Sequence, residues 1–355
     1  MSRTLGPRPE HRAEAELRPL YKAHYRFQFL SAGFRSGLFT LLAAHPGLTR
    51  AEIAKRLEMD EQPTRVLLLG CTVAGLVSKD GDGYFITAIS EPLAADVTDL
   101  PGAFVPFEHH LTYRAMSWFY ESLKENTNVG LRRELPGDAD TLYGRLAGHA
   151  ELETTFHHMM GSVSRSVAAD LARKLDLSGC RHLLDVGGGT AVNAIALARR
   201  WPHLEITIAD LPTVVEAAGA RIAEAGLESR VRAVGLDVFN DELPGGCDGV
   251  IFAHFLEIWS VDRNRMLLAK AARALEGGAR VFILTPVQDD DETGPELAAY
   301  LSAYFQTIAS GEGMVYTAGE YEQWLAEAGF DPAGRFYVGG LGDILVSGVR
   351  RTTAS

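Results

Sequence analysis

The run Leu183-Leu184-Asp185-Val186-Gly187-Gly188-Gly189-Thr190 sets an acid two residues ahead of three consecutive glycines. Apolar residues running into glycine read as a strand entering a tight turn, and Ala191 to Trp201 reads as the helix that follows. A second strand, Ile206-Thr207-Ile208-Ala209-Asp210, closes on another carboxylate. The chemistry of this pair is that of a nucleoside site at the carboxyl edge of an α/β sheet. Glycine lets backbone approach a ligand, and an acid ending the next strand accepts hydrogen bonds from ribose hydroxyls. A dinucleotide site uses the same parts, but its fingerprint is spaced G-x-G-x-x-G, whereas Gly187, Gly188 and Gly189 are contiguous. An acid two residues before the glycines is also typical of S-adenosylmethionine (SAM) sites, where the turn passes the amino-acid end of the ligand. A plain strand–helix turn is the bland alternative.

The elements that must hold these residues follow from length and pattern. A chain of 355 residues is long enough for two domains with separate cores. Its formal charge of −12 disfavours a nucleic-acid footprint or an anionic membrane partner. No apolar run reaches the roughly 20 residues that a bilayer span needs, and the charged start, Met1 to Glu16, lacks an apolar signal core. Cys71, Cys180 and Cys247 are too far apart to pair by spacing and read as buried free thiols of a cytoplasmic protein. The first ten residues hold two prolines without periodicity and are expected to be unstructured.

From Ala13 to Ala44 the pattern is helical. Thr49 followed by Glu52 forms a capping box, Asp60 and Pro63 open a helix over Thr64 to Leu76, and Val77 to Ile86 is a hairpin with Asp-Gly turn chemistry. Helix, turn, helix and wing make a winged-helix module. A DNA reader would carry base-reading polar residues on its second helix, but Thr64–Leu76 has only Arg65 beside Val66-Leu67-Leu68-Leu69. Dimerisation suits that helix better. Residues 1–100 are therefore expected to be a winged-helix dimerisation domain, and 101–178 a helical, aromatic-rich connector lining a substrate pocket. Residues 179–355 are expected to form a doubly wound, mostly parallel Rossmann-like α/β domain. Its strands are expected at 182–186, 205–209, 231–235, 248–253 and 279–284, with a terminal hairpin at 334–338 and 343–349.

With the glycine turn and the wing in hand, the chain resembles the plant and bacterial small-molecule O-methyltransferases, of the caffeate and hydroxyindole type. The resemblance covers roughly residues 15–350. It rests on Leu184-Asp185-Val186-Gly187-Gly188-Gly189, Asp210-Leu211-Pro212, Gly235-Leu236-Asp237-Val238-Phe239, Leu275-Glu276-Gly277-Gly278-Ala279-Arg280-Val281 and the stretch from Glu320 to Phe330. It implies SAM as cofactor, no metal, and a homodimer. Cofactor contacts are implied for Asp185, Gly187, Gly189, Asp210 and Leu211 on the methionine and ribose side. Asp237, Val238 and Phe239 are implied around the adenine.

The chain departs from that family where the chemistry is done. The family's base is a His in a His-Asp-Trp-Ser-like stretch. Here Phe252-Ala253-His254-Phe255-Leu256-Glu257-Ile258-Trp259-Ser260 aligns by Trp259-Ser260, so Glu257 stands in its place. The two orienting acids are replaced by Thr285 and, near the second, Val315. A neutral His takes a phenol proton near neutral pH, whereas a solvated Glu is a weak base unless burial raises it. Two routes stay open: proximity on an already acidic substrate, or methylation at a carbon made nucleophilic by an adjacent phenolate. His254 and Glu257 are the candidate catalytic residues. His110, Tyr113, Arg114, Trp118, Phe156, His157, Met160, Phe305 and Met314 are candidates for the acceptor pocket, although helical Met and aromatics are also ordinary core. The expected acceptor is a small phenolic molecule, methylated on carbon ortho to its hydroxyl or, as the alternative, on oxygen.

Overall fold

The computed structural model describes residues 9–94, 100–339 and 342–352. The unstructured start expected from the sequence falls on residues 1–8, outside the described residues, and on Pro9 and Glu10, which instead begin a helix over Pro9–Tyr21. The chain divides into two compact units, Met1–His109 and His110–Ser355, so that the stretch 101–178 is shared between them.

In the first unit the helical pattern to Ala44 resolves into helices Pro9–Tyr21, Ala23–Arg35 and Leu38–Ala44, the last set off by Gly37 at φ +74°. Strand β1 (Leu48–Thr49) runs into the Arg50–Arg56 helix through the expected capping box, with Thr49 N donating to Glu52 Oε2 at 2.8 Å. The next helix spans Glu61–Val73 and begins ahead of Pro63, because proline in a first turn has no amide in need of a partner. Strands β2 (Val77–Asp80) and β3 (Gly83–Ile86) complete an antiparallel sheet in the order β1-β3-β2. Leu38, Phe39, Leu42, Ile53, Leu68 and Cys71 form the core. Val66, Leu69 and Val73, on the other side of the Glu61–Val73 helix, are exposed.

The second unit opens with short helices and then the long helix Ala150–Lys174. Seven strands follow: β4 (His182–Val186), β5 (Glu205–Asp210), β6 (Val231–Gly235), β7 (Cys247–Ala253), β8 (Leu275–Thr285), β9 (Phe330–Tyr337) and β10 (Ile344–Arg350). Their order is β6-β5-β4-β7-β8-β10-β9, parallel from β6 to β8, with β10 antiparallel to both neighbours. Strand β8 starts at Leu275, ahead of the expected position 279, because Leu275 already pairs with Cys247 before the register shifts to Gly249 opposite Arg280. Both faces are covered. Val186, Phe252, Ile283, Tyr321 and Trp324 pack on one side, and Leu171, Leu183, Leu197, Ile251 and Leu345 on the other. Burial on two faces explains why the central strands β4, β5, β7 and the second half of β8 are apolar runs, whereas the edge strands β6 and β9 are largely exposed. The strand order reverses between β4 and β7, and a crevice at that switch point is where such sheets bind ligands. Among the described residues no helix is long and apolar enough to cross a membrane.

Candidate active site

The crevice is built first by the turn after β4. Gly187 sits at φ +71°, and a Cβ there would lie 2.2 Å from the Phe255 ring. Only glycine meets both demands. The turn is tied to β5 by Asp210: Oδ2 accepts from Gly189 N at 2.8 Å and Oδ1 from Leu211 N at 2.7 Å. Burial raises the Asp210 carboxyl, and the two backbone amides and the nearby His157 pull it back part of the way. Asp185 lies beneath the turn, 1% exposed, and neither oxygen has a hydrogen-bond partner among the described residues. Burial first, then the charge of Asp210, push its pKa to about 7. A buried carboxylate with unused acceptors, beside a second acid at a strand end, fits a ligand that brings both a cation and hydroxyl donors. SAM carries both.

The turn after β6 is rigid. Asp237 caps it, Oδ1 accepting from Phe239 N at 2.9 Å and Oδ2 from Asn240 Nδ2 at 2.6 Å. Val238 points into the core, so it can offer a ligand only its backbone. Phe239 is half-buried, edge-on to Trp259 at 4.6 Å and beneath Arg263 at 4.4 Å. The buried Lys270 ammonium donates to the carbonyls of Val238, Phe239 and Asp241 at 2.8–2.9 Å.

The remaining side of the crevice comes from the end of β7. His254 follows Ala253 at φ +51°, with its amide donating to Leu284 O at 2.8 Å and Nε2 3.0 Å from Asp343 Oδ1. Burial opposes a charged imidazole here, but the Asp343 hydrogen bond and charge outweigh it and raise the pKa. Glu257 rides on a short 3-10 turn, Leu256–Ile258, and is 2% exposed. Thr285 Oγ1 lies 3.0 Å from Pro286 O and within hydrogen-bonding reach of the Glu257 carboxyl, whose Oε2 is nonetheless buried without a partner among the described residues. Burial pushes Glu257 to about 7, despite relief from His254.

The loop after the Glu296–Thr307 helix clamps that turn. Ser310 donates to Ile258 O, Tyr316 OH donates to Trp259 O at 2.7 Å, and a Cβ on Gly313 would meet Ile258 O at 2.2 Å. Val315 is fully buried among Ala298, Phe305 and Ala309, with Tyr143 and Ile258 packed against them.

The expected pocket residues separate. Phe156 and Phe305 are buried, Phe156 edge-on to Tyr143 at 5.7 Å, and Tyr143 lies 6.3 Å from Trp259. Met160 is half-buried, and Met314 is 38% exposed. His157 is half-buried, 3.8 Å from Glu153, and its charge bears on Asp210, on the glycine-turn side. Tyr113 is half-buried, whereas His110 and Arg114 are exposed. Trp118 donates to Glu134 Oε1 at 2.9 Å and lies under Arg133 at 5.2 Å. Spacing gave no sign of Asp343 or of Tyr321, a fully buried phenol raised by burial and by the charge of Glu257.

A mostly parallel sheet with this glycine turn and two carboxylates defines a SAM-dependent methyltransferase with a Rossmann-like domain. A family model for the O-methyltransferase domain matches residues 134–331. The chain is 40% identical over 307 residues to an L-tyrosine C(3)-methyltransferase of Streptomyces lavendulae, covering 86% of this chain and 84% of that one. It is 33% identical over 306 residues to a 3-hydroxy-5-methyl-1-naphthoate 3-O-methyltransferase of Streptomyces sahachiroi, covering 86% of each. The solved structure of the S-adenosylmethionine-dependent methyltransferase SibL in its apo form superposes with a TM-score of 0.78 at 39% identity, covering 95% of this chain and 99% of that one. The chain belongs to the O-methyltransferase domain family.

Proposed function

We propose that the enzyme methylates a small phenolic molecule, with the ring carbon ortho to the hydroxyl as favoured acceptor. The reading is supported chiefly by one observation: the acids of the oxygen-methylating set are replaced by Thr285 and Val315, while a His254–Asp343 pair stands at the end of β7. SAM, when bound, supplies an electrophilic methyl group on a sulfonium. Asp185, Gly187, Gly189, Asp210 and Leu211 are suited to hold its amino-acid and ribose parts. Asp237, Phe239 and the Val238 backbone suit its adenine side.

His254 takes the phenol proton, and the negative charge left behind is shared between the oxygen and the ortho carbon; once that carbon is methylated it loses its own ring proton and the oxygen regains one, which restores the phenol. Glu257 keeps its proton up to about neutral pH and gives the acceptor a hydrogen-bond donor. Phe156, Met160, Phe305, Met314 and Tyr113 supply apolar wall. Carbon as acceptor is supported by the tyrosine C(3)-methyltransferase relative, since that carbon is ortho to a phenol. Oxygen methylation is the second reading, favoured by the family model and by the naphthoate 3-O-methyltransferase relative.

The first unit serves in this reading as a winged-helix dimerisation domain of a cytoplasmic homodimer. The exposed Val66, Leu69 and Val73 support pairing over DNA binding, and light scattering on the purified protein tests it. The three cysteines are free, as a reducing compartment requires. Mass spectrometry of reactions with SAM and a panel of hydroxylated aromatic acids and amino acids tests the activity. The expected product carries one new methyl on carbon. Methyl found on oxygen alone overturns the carbon preference, and no methylated phenol at all overturns the reading.

A further inference from the structure

His254 is a residue with a Cβ held at φ +51°, a backbone conformation that persists only where surroundings enforce it. Two contacts do so here, the amide bond to Leu284 O and the 3.0 Å contact between Nε2 and Asp343 Oδ1. The Asp343 side chain is 4% exposed and that of His254 18%. Asp343 is itself fixed by the sheet. Its carbonyl accepts from Val338 N at 2.8 Å, and the next residue, Ile344, pairs with Thr285 of β8. Nδ1 of His254 has no hydrogen-bond partner among the described residues, yet it is not one of the buried polar atoms left unpartnered, so solvent reaches it.

We propose that Asp343 is a positioning residue: it accepts the Nε2 proton of His254 and so fixes the tautomer whose lone pair is on Nδ1, the atom that receives the acceptor's phenol proton. This rests on the reading of His254 as the base. A carboxylate can only accept, so a neutral imidazole bonded to it must carry its proton on Nε2. When the transfer occurs, the phenol O–H bond breaks, the Nδ1–H bond forms, and the new imidazolium charge is balanced by Asp343. No electrons change hands. The titratable groups that bear on the imidazole are Asp343 from the hairpin and Glu257 from the 3-10 turn, the latter charged only above about neutral pH; Thr285 of β8 is neutral.

Nitrogen-15 NMR of the protein without ligands reads the tautomer directly. The neutral ring of His254 is expected to be protonated at Nε2, and protonation at Nδ1 overturns the proposal. Asp343→Asn is expected to lower kcat about 100-fold or more, the scale of a lost proton transfer. It should leave KM within about threefold and the affinity for S-adenosylhomocysteine (SAH), the demethylated cofactor, unchanged by calorimetry. Its acidic limb in kcat/KM should move to lower pH, because the anion that raises the imidazole is gone; Asp343→Glu should recover part of the rate. His254→Ala separates the two claims. If His254→Ala is fully active, the base assignment itself fails. If it is inactive while Asp343→Asn keeps full kcat and an unmoved pH limb, the base stands and Asp343 has no positioning role. Should Asp343→Asn fail to fold, the tautomer of the unaltered protein still decides.

Discussion

Replacing Glu257 by Gln removes a charge from a place that resists holding one. The carboxyl is 2% exposed, and burial raises it from the ordinary 4.5 to about 7. A folded-state pKa above the unfolded one means that the folded protein binds the extra proton. The stability this gives is complete below about pH 4.5 and is lost as pH rises through about 7. The gap between the two values, about 2.5 pH units at about 1.4 kcal/mol each, sets a ceiling of about 3.5 kcal/mol. Gln keeps the size and hydrogen-bonding shape but does not titrate. The stability difference between variant and parent should therefore shift by up to about 3.5 kcal/mol in the variant's favour between pH 4.5 and pH 8.5. That corresponds to roughly 7–14 °C in Tm for a unit of this size. Thermal or urea unfolding of both proteins across that pH range measures it; carboxylates remote from the site cancel in the difference, and repeating the pair in a His254→Ala background removes the coupled imidazole. A stability difference that stays flat with pH refutes the reasoning. The same variant should keep turnover within about tenfold at pH 7, because an amide still donates a hydrogen bond.

Asp210→Ala strips the acceptor from the Gly189 and Leu211 amides, two charge-assisted bonds of roughly 1.5–3 kcal/mol each. Calorimetry should show SAH affinity at least about tenfold weaker, and an unchanged Kd contradicts the assignment of Asp210 to the ribose. Gly313→Ala drives a methyl to 2.2 Å from Ile258 O and 2.4 Å from Glu257 O, so scanning calorimetry should find a loss of about 1–3 kcal/mol. A Tm equal to the parent's would mean that the loop does not hold the Glu257 turn.

The centre of the sheet was legible because β4, β5 and β7 are buried on both faces. β4, β5 and β6 end where their apolar runs meet Gly187, Asp210 and Gly235. The glycine turn and its two acids were legible for the same reason, since strand ends fix where a carboxylate falls. Glu257 could be located by its offset from Trp259 and Ser260, but its raised pKa depends on a burial that no spacing reports. Asp343 was out of reach. It meets His254 across 89 residues only because β10 runs antiparallel to β8 in one register. Val238 looks from its place in a turn as if it faced the ligand, yet Asp237 turns the chain so that Val238 fills the core. His110 and Arg114 lie beside a helix expected to line the pocket, and their exposure, which spacing does not report, separates them from the buried aromatics.

Lys270 carries one more lesson. An amine is alkylated through its lone pair, and an enzyme that works with a methylating agent is surrounded by its own nucleophiles. With its amine directed at three carbonyls and only 7% of the residue exposed, Lys270 is withheld from any approaching methyl donor. The contact that stiffens the turn also makes this side chain inert towards self-modification.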